Sequence, residues 1–208
     1  AKYDVPFLDS LPLYNQGKSR DTFEIPGHDD KLLVVATPRI STHNIVHRSK
    51  IPHKDEVLTA LTIHWCKKVL EKAEFPHHLI AYGQSIYDYL PEDNDSYPGD
   101  LHRKAIIVRK LKITPIEFIF RYRMGGSVYH DFYAKNLPNP YGIDFMSGLP
   151  LMYEFARAAF TPTEKSDTDD ALNAAFVMER FSEEVQLVER SLGLIRCYLN
   201  ERGVELVD

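Results

Sequence analysis

The sequence has few cysteines, no long apolar run and no excess of basic residues, and each absence excludes a class of protein. Cys66 and Cys197 are the only cysteines among 208 residues, too few for a disulfide framework and typical of a reducing compartment. No apolar run approaches the ~20 residues of a membrane span, and the first residues lack the basic stretch and apolar core of a secretory signal. We therefore expect a cytoplasmic protein with no membrane partner.

The charge balance is acidic overall but locally basic. Thirty acids against 25 bases give a formal net charge of -5, whereas a general nucleic-acid binder usually carries a basic surplus, so we expect no nucleic-acid partner. Between Arg103 and Arg123 there are seven bases and a single acid, Glu117. Such a local positive field suits a small phosphorylated ligand, although a solvated strand face would have the same composition.

The order of the predicted elements indicates an α+β fold. Two strands, over 21–25 and 31–37, flank a turn at 26–30, and apolar residues spaced by three and four predict a helix over 58–73. A second such stripe predicts a long helix over 181–199. Strands therefore come first and helices later, without the regular alternation of a parallel α/β protein.

An acidic segment with two prolines and one glycine, residues 91–100 (PEDNDSYPGD), is predicted to link two lobes. The first lobe, 1–95, is then β-rich with one helix, and the second, 96–208, is larger and contains the long C-terminal helix. Within the second lobe we predict strands over 104–112 and 116–121, a mainly irregular stretch over 136–165, and a helix C-cap at Gly203.

A glycine followed by two nearby cations indicates a candidate anion site near the N-terminus. Gly17-Lys18-Ser19-Arg20 is not a P-loop, because Pro12 stands where the leading glycine would fall. The strand predicted after it makes Gly17 the turn of a hairpin, with Lys18 and Arg20 on one side. Two such cations could clamp a polyphosphate, and an ordinary turn is the alternative.

A second candidate anion site follows the predicted strand over 116–121. Arg121 and Arg123 end the strand, and Gly125-Gly126 then permit close backbone approach to a ligand before the hydroxyl of Ser127. The alternative is a bulged strand end.

Metal and nucleophile patterns are weaker. His43 and His47 have the spacing of a helical metal pair, but no glutamate follows His43 as in a zinc-protease helix. Neither Ser41 nor Ser127 has an evident His–Asp partner, so nucleophilic catalysis is not indicated.

Six segments, in order along the chain, resemble the motifs of one family, the phosphoribosylaminoimidazole-succinocarboxamide (SAICAR) synthetases. The resemblance extends from residue 13 to residue 208. The segments are 13–21 (LYNQGKSRD), 36–41 (ATPRIS), 51–59 (IPHKDEVLT), 115–127 (PIEFIFRYRMGGS), 160–165 (FTPTEK) and 203–208 (GVELVD).

The resemblance implies a SAICAR synthetase-like two-lobed fold with its ligand cleft between a β-rich lobe and a larger lobe. It also implies an ATP- and magnesium-dependent ligase of purine biosynthesis that joins aspartate to a carboxyaminoimidazole ribotide. The small-molecule partners would be the ribotide and aspartate, and a homo-oligomer stays open.

The resemblance further assigns roles to individual residues, and it identifies no metal ligand. It assigns ATP binding to Gly17, Lys18, Ser19, Arg20 and Lys110. It assigns substrate binding to Ser41, Lys54, Arg121, Ser127 and Asp170. It assigns catalysis to Lys165 and Asp208.

The chain also departs from the family pattern. Pro38 and Asn44 stand where the family has aspartates, Asp55 replaces a glycine, and residues 169–173 (DDALN) replace the family's HDEN motif. The family segments that follow Asp208, with magnesium carboxylates and a substrate arginine, have no counterpart here. Two alternatives therefore stay open, a catalytically impaired nucleotide or ribotide binder and an amide ligase with altered substrate. We also expect little or no SAICAR formation by these 208 residues alone.

Overall fold

The computed structural model describes residues 11–42, 45–91, 97–166 and 169–208. The chain divides into two compact units, Ala1–Lys112 and Ile113–Asp208. The division therefore falls after Lys112, whereas the sequence predicts it after residue 95. The difference arises because the strand following the acidic segment joins the first unit. Residues 92–96 of the predicted linker lie outside the described residues.

The first unit is built on a five-stranded antiparallel sheet with the strand order β1-β2-β3-β7-β6. A further two-stranded ladder joins β4 to β5. The predicted hairpin at 21–37 is confirmed as β2 and β3. The strands are β1 Leu13–Gln16, β2 Arg20–Glu24, β3 Lys31–Ala36, β4 Arg39–Thr42, β5 Ile45–Lys50, β6 Leu79–Tyr82 and β7 Ala105–Arg109.

Strand β7 is buried on both faces. Ala105, Ile106, Ile107 and Val108 are each at most 5% exposed. Ala105 and Ile107 belong to one apolar cluster, and Ile106 and Val108 belong to another that contains Cys66. A central strand covered on both sides is a continuous apolar run rather than an alternating one. The strand predicted over 104–112 is thus present only as β7, residues 105–109, and both faces of its apolar part are core.

The predicted helix over 58–73 is present, but its start and its buried face differ from the prediction. Helix α1 spans Lys54–His64 and continues as a π-helical segment, Trp65–Leu70, and a 3-10 turn, Glu71–Ala73. Leu61, predicted to be on the apolar face, is exposed. The π-helical segment after His64 is wider than an α-helix, and its buried side chains are those of Cys66 and Val69. The unit also contains a 3-10 segment, Gly83–Tyr89, and helix α2, Leu101–Lys104.

The second unit combines two short antiparallel ladders with two helices. The strand predicted over 116–121 is interrupted and divided between the two ladders. The ladders pair β8 Ile116–Glu117 with β11 Thr163–Glu164, and β9 Phe120–Arg123 with β10 Glu154–Phe160. The helices are α3 Ala174–Arg180 and α4 Ser182–Asn200, and short helical segments cover Val128–Phe132 and Tyr133–Lys135.

The helices and strands of the second unit enclose one apolar cluster that contains Phe120, Phe160, Val177 and Val185. The prediction of an irregular stretch over 136–165 missed β10, which supplies Phe160. Helix α4 confirms the predicted long helix. Gly203 follows it with φ +71°, as expected at a helix C-cap.

The mixture of antiparallel sheets and separate helices confirms the α+β class. None of the helices in the described parts of the chain has both the length and the apolarity to cross a membrane.

Candidate functional site

The first candidate site is the tight turn between β1 and β2. The amide of Gly17 donates to the carbonyl of Arg20 at 2.8 Å, and Gln16 pairs with Asp21 across the ladder, which confirms the predicted hairpin. Arg20 Nη2 donates to Thr62 Oγ1 of α1 at 3.3 Å. Lys18 and Arg20 are both exposed, so two cations are presented at this turn.

The backbone of the turn is hydrogen-bonded to Arg39, a residue to which the sequence assigned no role. Arg39 is buried and forms a bidentate ion pair with the buried carboxylate of Asp21, at 3.0 and 2.5 Å. Its Nη2 also donates to the carbonyl of Gly17 at 3.0 Å, and its Nε to the carbonyl of Lys18 at 3.4 Å. Both members of this pair lie in segments that resemble family motifs, and their opposite charges were the available signal.

Lys54 lies beside the same group of residues. Its Nζ donates to the carbonyl of Arg39 at 2.8 Å, so the start of α1 is tied to the start of β4. Ser41 lies in β4, opposite Val46 of β5. Asp55, which replaces the family glycine, accepts a hydrogen bond from the Glu56 amide at 3.1 Å through its side chain.

Lys110 is not brought to this turn. Arg20 pairs with Ala36 and Lys31 with Arg109, so about 17 Å of strand β3 separate the two positions. The ammonium of Lys110 instead lies 2.9 Å from Glu24 Oε1, and this hydrogen bond raises the pKa of Lys110. The predicted ATP-binding set is therefore divided between the two ends of the sheet.

The second candidate site surrounds Arg121 at the middle of β9. Arg121 is buried, and its Nε donates to Thr161 Oγ1 at 3.0 Å. Its Nη1 donates to Asp208 Oδ2 at 2.7 Å. Gly126 has φ +58°, and a Cβ there would lie 2.9 Å from Arg121 Nη1. The structure thus brings Arg121 and Gly126 of the predicted anion cradle together, and the Asp208 carboxylate, which was not predicted as part of the cradle, is the ion-pair partner of Arg121.

Ser127 and Arg123 are placed differently. Ser127 follows Gly126 directly, is exposed and precedes the segment Val128–Phe132. Arg123 donates to carboxylate oxygens of Glu154 at 3.2 Å and Glu205 at 2.9 Å. Arg123 is therefore part of an ion-pair network with those glutamates and not of the group around Arg121.

The third group joins β8 and β11. Lys165 Nζ lies 3.3 Å from Glu117 Oε1, and the Lys165 amide donates to the Pro115 carbonyl at 3.1 Å. The Glu164 amide donates to the Asp170 carbonyl at 2.7 Å, which brings the backbone at Asp170 next to this strand. The backbone at the predicted residues Lys165 and Asp170 is thus close in the fold.

The described residues contain no group of three or more His, Cys, Asp or Glu side chains that could hold a metal. His47 lies in a strand and bonds Thr42, whereas His43 and Asn44 lie outside the described residues. Mg²⁺ at nucleotide sites uses one or two carboxylates together with phosphate oxygens. Glu117 and Asp208 are partly exposed carboxylates, and each forms an ion pair with a cation. The paired cations of the turn fit nucleotide phosphates.

Known proteins resemble this chain in sequence and in fold. A family model described as SAICAR synthetase matches residues 13–208. The phosphoribosylaminoimidazole-succinocarboxamide synthase of Saccharomyces cerevisiae is 30% identical over 95% of this chain and 67% of its own length. The SAICAR synthase of S. cerevisiae, solved in complex with SAICAR, superimposes with a TM-score of 0.80 at 28% identity over 97% of this chain and 67% of that one.

A further solved structure, a SAICAR synthetase in complex with ADP, has a TM-score of 0.67 at 20% identity. It covers 93% of this chain and 71% of its own, and it supports the fold alone. The chain spans about two thirds of the length of the yeast relative.

The fold and the matches define an ATP-dependent carbon–nitrogen ligase. The chain belongs to the SAICAR synthetase family, whose enzymes join aspartate to a carboxyaminoimidazole ribotide in purine biosynthesis.

Proposed function

We propose that this chain binds ATP and a carboxyaminoimidazole ribotide and takes part in the ligation of aspartate to that ribotide. The observation that carries the proposal is Arg121, a buried arginine whose Nη1 already holds an oxyanion, the Asp208 carboxylate, at 2.7 Å. A buried guanidinium with fixed donors is well suited to a phosphate or carboxylate group.

The proposed reaction has two steps. The ribotide carboxylate attacks the γ-phosphorus of ATP, which forms an acyl phosphate and releases ADP. The amine of aspartate then attacks the acyl carbon, loses a proton and expels inorganic phosphate, which leaves an amide. Both steps gather negative oxygens, so they depend on positioned cations.

The candidate residues divide this task. Lys18 and Arg20 are proposed to bind the ATP phosphates, and Arg121 with Ser127 the ribotide phosphate. Lys165 is proposed to stabilise charge that develops on the transferred phosphoryl group. The SAICAR ligand of the solved yeast relative supports a ribotide as a ligand.

Magnesium is proposed to accompany ATP and to offset phosphate charge when bound. A cytoplasmic location and a homo-oligomeric state belong to the same proposal by family membership.

The test is a coupled assay of the protein with ATP, Mg²⁺, aspartate and the carboxyaminoimidazole ribotide. The proposal expects SAICAR, ADP and phosphate, and this outcome would contradict the sequence-based expectation of little or no SAICAR formation. Arg121→Gln should raise the KM for the ribotide by about tenfold or more, the loss of one charge-assisted contact. Arg123→Gln is the matched control, because Arg123 lies two residues further along β9 and pairs with Glu154 and Glu205.

The possible outcomes separate the candidate functions. SAICAR formation that is sensitive to Arg121 but not to Arg123 supports the ligase. Binding of ATP and the ribotide without turnover would instead support the catalytically impaired binder. Turnover of another amine would support an amide ligase with altered substrate. A protein that binds neither ligand would contradict the proposal.

A further inference from the structure

Arg39 is buried and contacts the backbone of the turn that is proposed to bind phosphate. It contacts the carbonyls of Gly17 and Lys18 and both oxygens of Asp21. The next carbonyl, that of Ser19, accepts from the amide and the hydroxyl of Thr37 at 2.8 and 3.0 Å. Three consecutive carbonyls are therefore drawn toward β3 and β4.

The direction of the carbonyls determines the direction of the amides. A trans peptide unit is planar, and its C=O and N–H groups point in opposite directions. Because the Gly17 and Lys18 carbonyls point to Arg39, the N–H groups of Lys18 and Ser19 point away from it. Successive N–H groups with one common direction form an anion-binding concavity.

The charge of Arg39 is balanced within the protein. Arg39 and Asp21 are 7% and 3% exposed, and the carboxylate accepts two hydrogen bonds from one guanidinium. Arg39 is thus not available as a direct phosphate ligand. Its planar group satisfies a carboxylate and two carbonyls at once, which the single ammonium of a lysine cannot do.

We propose that Arg39 is a positioning residue for nucleotide binding: it fixes the turn at residues 17–20 so that the Lys18 and Ser19 amides, together with the Lys18 side chain, face the phosphates. The inference rests on the proposed nucleotide function and adds a residue and two main-chain donors to it. Asp21 acts as the partner that holds Arg39 in this orientation.

The test compares ADP with adenosine, which lacks the phosphates, by calorimetry on the whole protein. In the Arg39→Lys variant the Kd for ADP should rise by about tenfold or more, because contacts to charged phosphate oxygens are lost. The Kd for adenosine should stay unchanged. If Arg39 has a purely structural role, the Arg39→Lys substitution should raise the Kd values for ADP and adenosine equally, or change neither.

Two further variants guard against an effect of misfolding. Thr37→Val removes only the hydroxyl contact to Ser19 and keeps the shape of the side chain. It should raise the Kd for ADP, but not that for adenosine, by a smaller factor than Arg39→Lys does. Ile107→Val lowers the stability of the same sheet from its core, away from the turn, and should leave the ADP Kd unchanged.

The results separate this inference from the function on which it rests. Wild-type protein that binds no ADP would overturn both. If the wild-type protein binds ADP and neither Arg39→Lys nor Thr37→Val changes the Kd for ADP, the role of Arg39 is contradicted and the nucleotide function is not. The same conclusion follows if the variants weaken ADP and adenosine binding together.

Discussion

Lys165 and Glu117 form an ion pair at the ladder between β8 and β11, with Nζ 3.3 Å from Oε1. Their side chains are 52% and 40% exposed, so water competes for both charges and the pair contributes little to stability. The Lys165 ammonium can therefore leave the Glu117 carboxylate and contact a phosphoryl oxygen with little loss of free energy.

We expect Lys165→Gln to lower kcat strongly while the melting temperature changes little. An exposed ion pair contributes about 0–1 kcal/mol to folding, whereas a cation on a transferring phosphoryl group contributes mainly to the transition state. Lys135→Gln is the matched control, since Lys135 forms a similarly exposed pair with Asp131 in the same unit. Equal kinetic effects in the two variants would contradict the role of Lys165.

The turn at residues 17–20 should lose nucleotide affinity when its cations are removed. Each of Lys18→Ala and Arg20→Ala is expected to weaken ATP binding by about 1.5–3 kcal/mol, the value of a hydrogen bond to a charged group. Lys31→Ala, at the opposite end of strand β3, serves as the control. Titration calorimetry measures the difference, and unchanged ATP affinity in the double variant would remove the turn from the binding site.

The two neighbouring glycines after β9 should tolerate alanine differently. In Gly126→Ala the new Cβ would lie 2.9 Å from Arg121 Nη1, at a φ of +58° that costs an L-residue about 1–2 kcal/mol. Gly125→Ala has no heavy atom within 4 Å of its Cβ. We expect only Gly126→Ala to raise the KM for the ribotide. If Gly125→Ala raised the KM equally, the geometry around Arg121 would not be the cause.

The two cysteines should differ in reactivity. Burial raises the pKa of the Cys66 thiol, and that residue is 4% exposed, while Cys197 is exposed. Because the thiolate is the reactive form, iodoacetamide near pH 8 should label Cys197 quickly and Cys66 only in denaturant. Peptide mass spectrometry measures the two rates, and rapid native labelling of Cys66 would contradict its burial under the sheet.

The parts of the fold that were predictable from the sequence are those with a local signal. The hairpin of β2 and β3 has a turn composition between two apolar runs, and α4 has a stripe at helical spacing, so both were predicted nearly in place. Strand β10 was missed because its burial pattern, with a single buried residue at Phe160, has no alternation to detect.

The same limit applies to the candidate site. Arg121, Gly126 and Asp208 were named through motif resemblance, and the structure brings them together. The pairing of Arg39 with Asp21 and the distance of Lys110 from the turn both depend on strand register. Register is set by contacts between distant segments, and a pattern within one segment does not contain it.

The position of β7 has a consequence for the biosynthesis of the protein. Strand β7 lies between β3 and β6, although it follows both in the chain. During synthesis β3 therefore leaves the ribosome with one edge unpaired and β6 without its partner strand, and unpaired strand edges promote association between nascent chains. A fragment that ends at residue 95 lacks β7 and leaves β3 and β6 without their shared partner strand. The shortest N-terminal fragment that completes this sheet must therefore extend to Arg109.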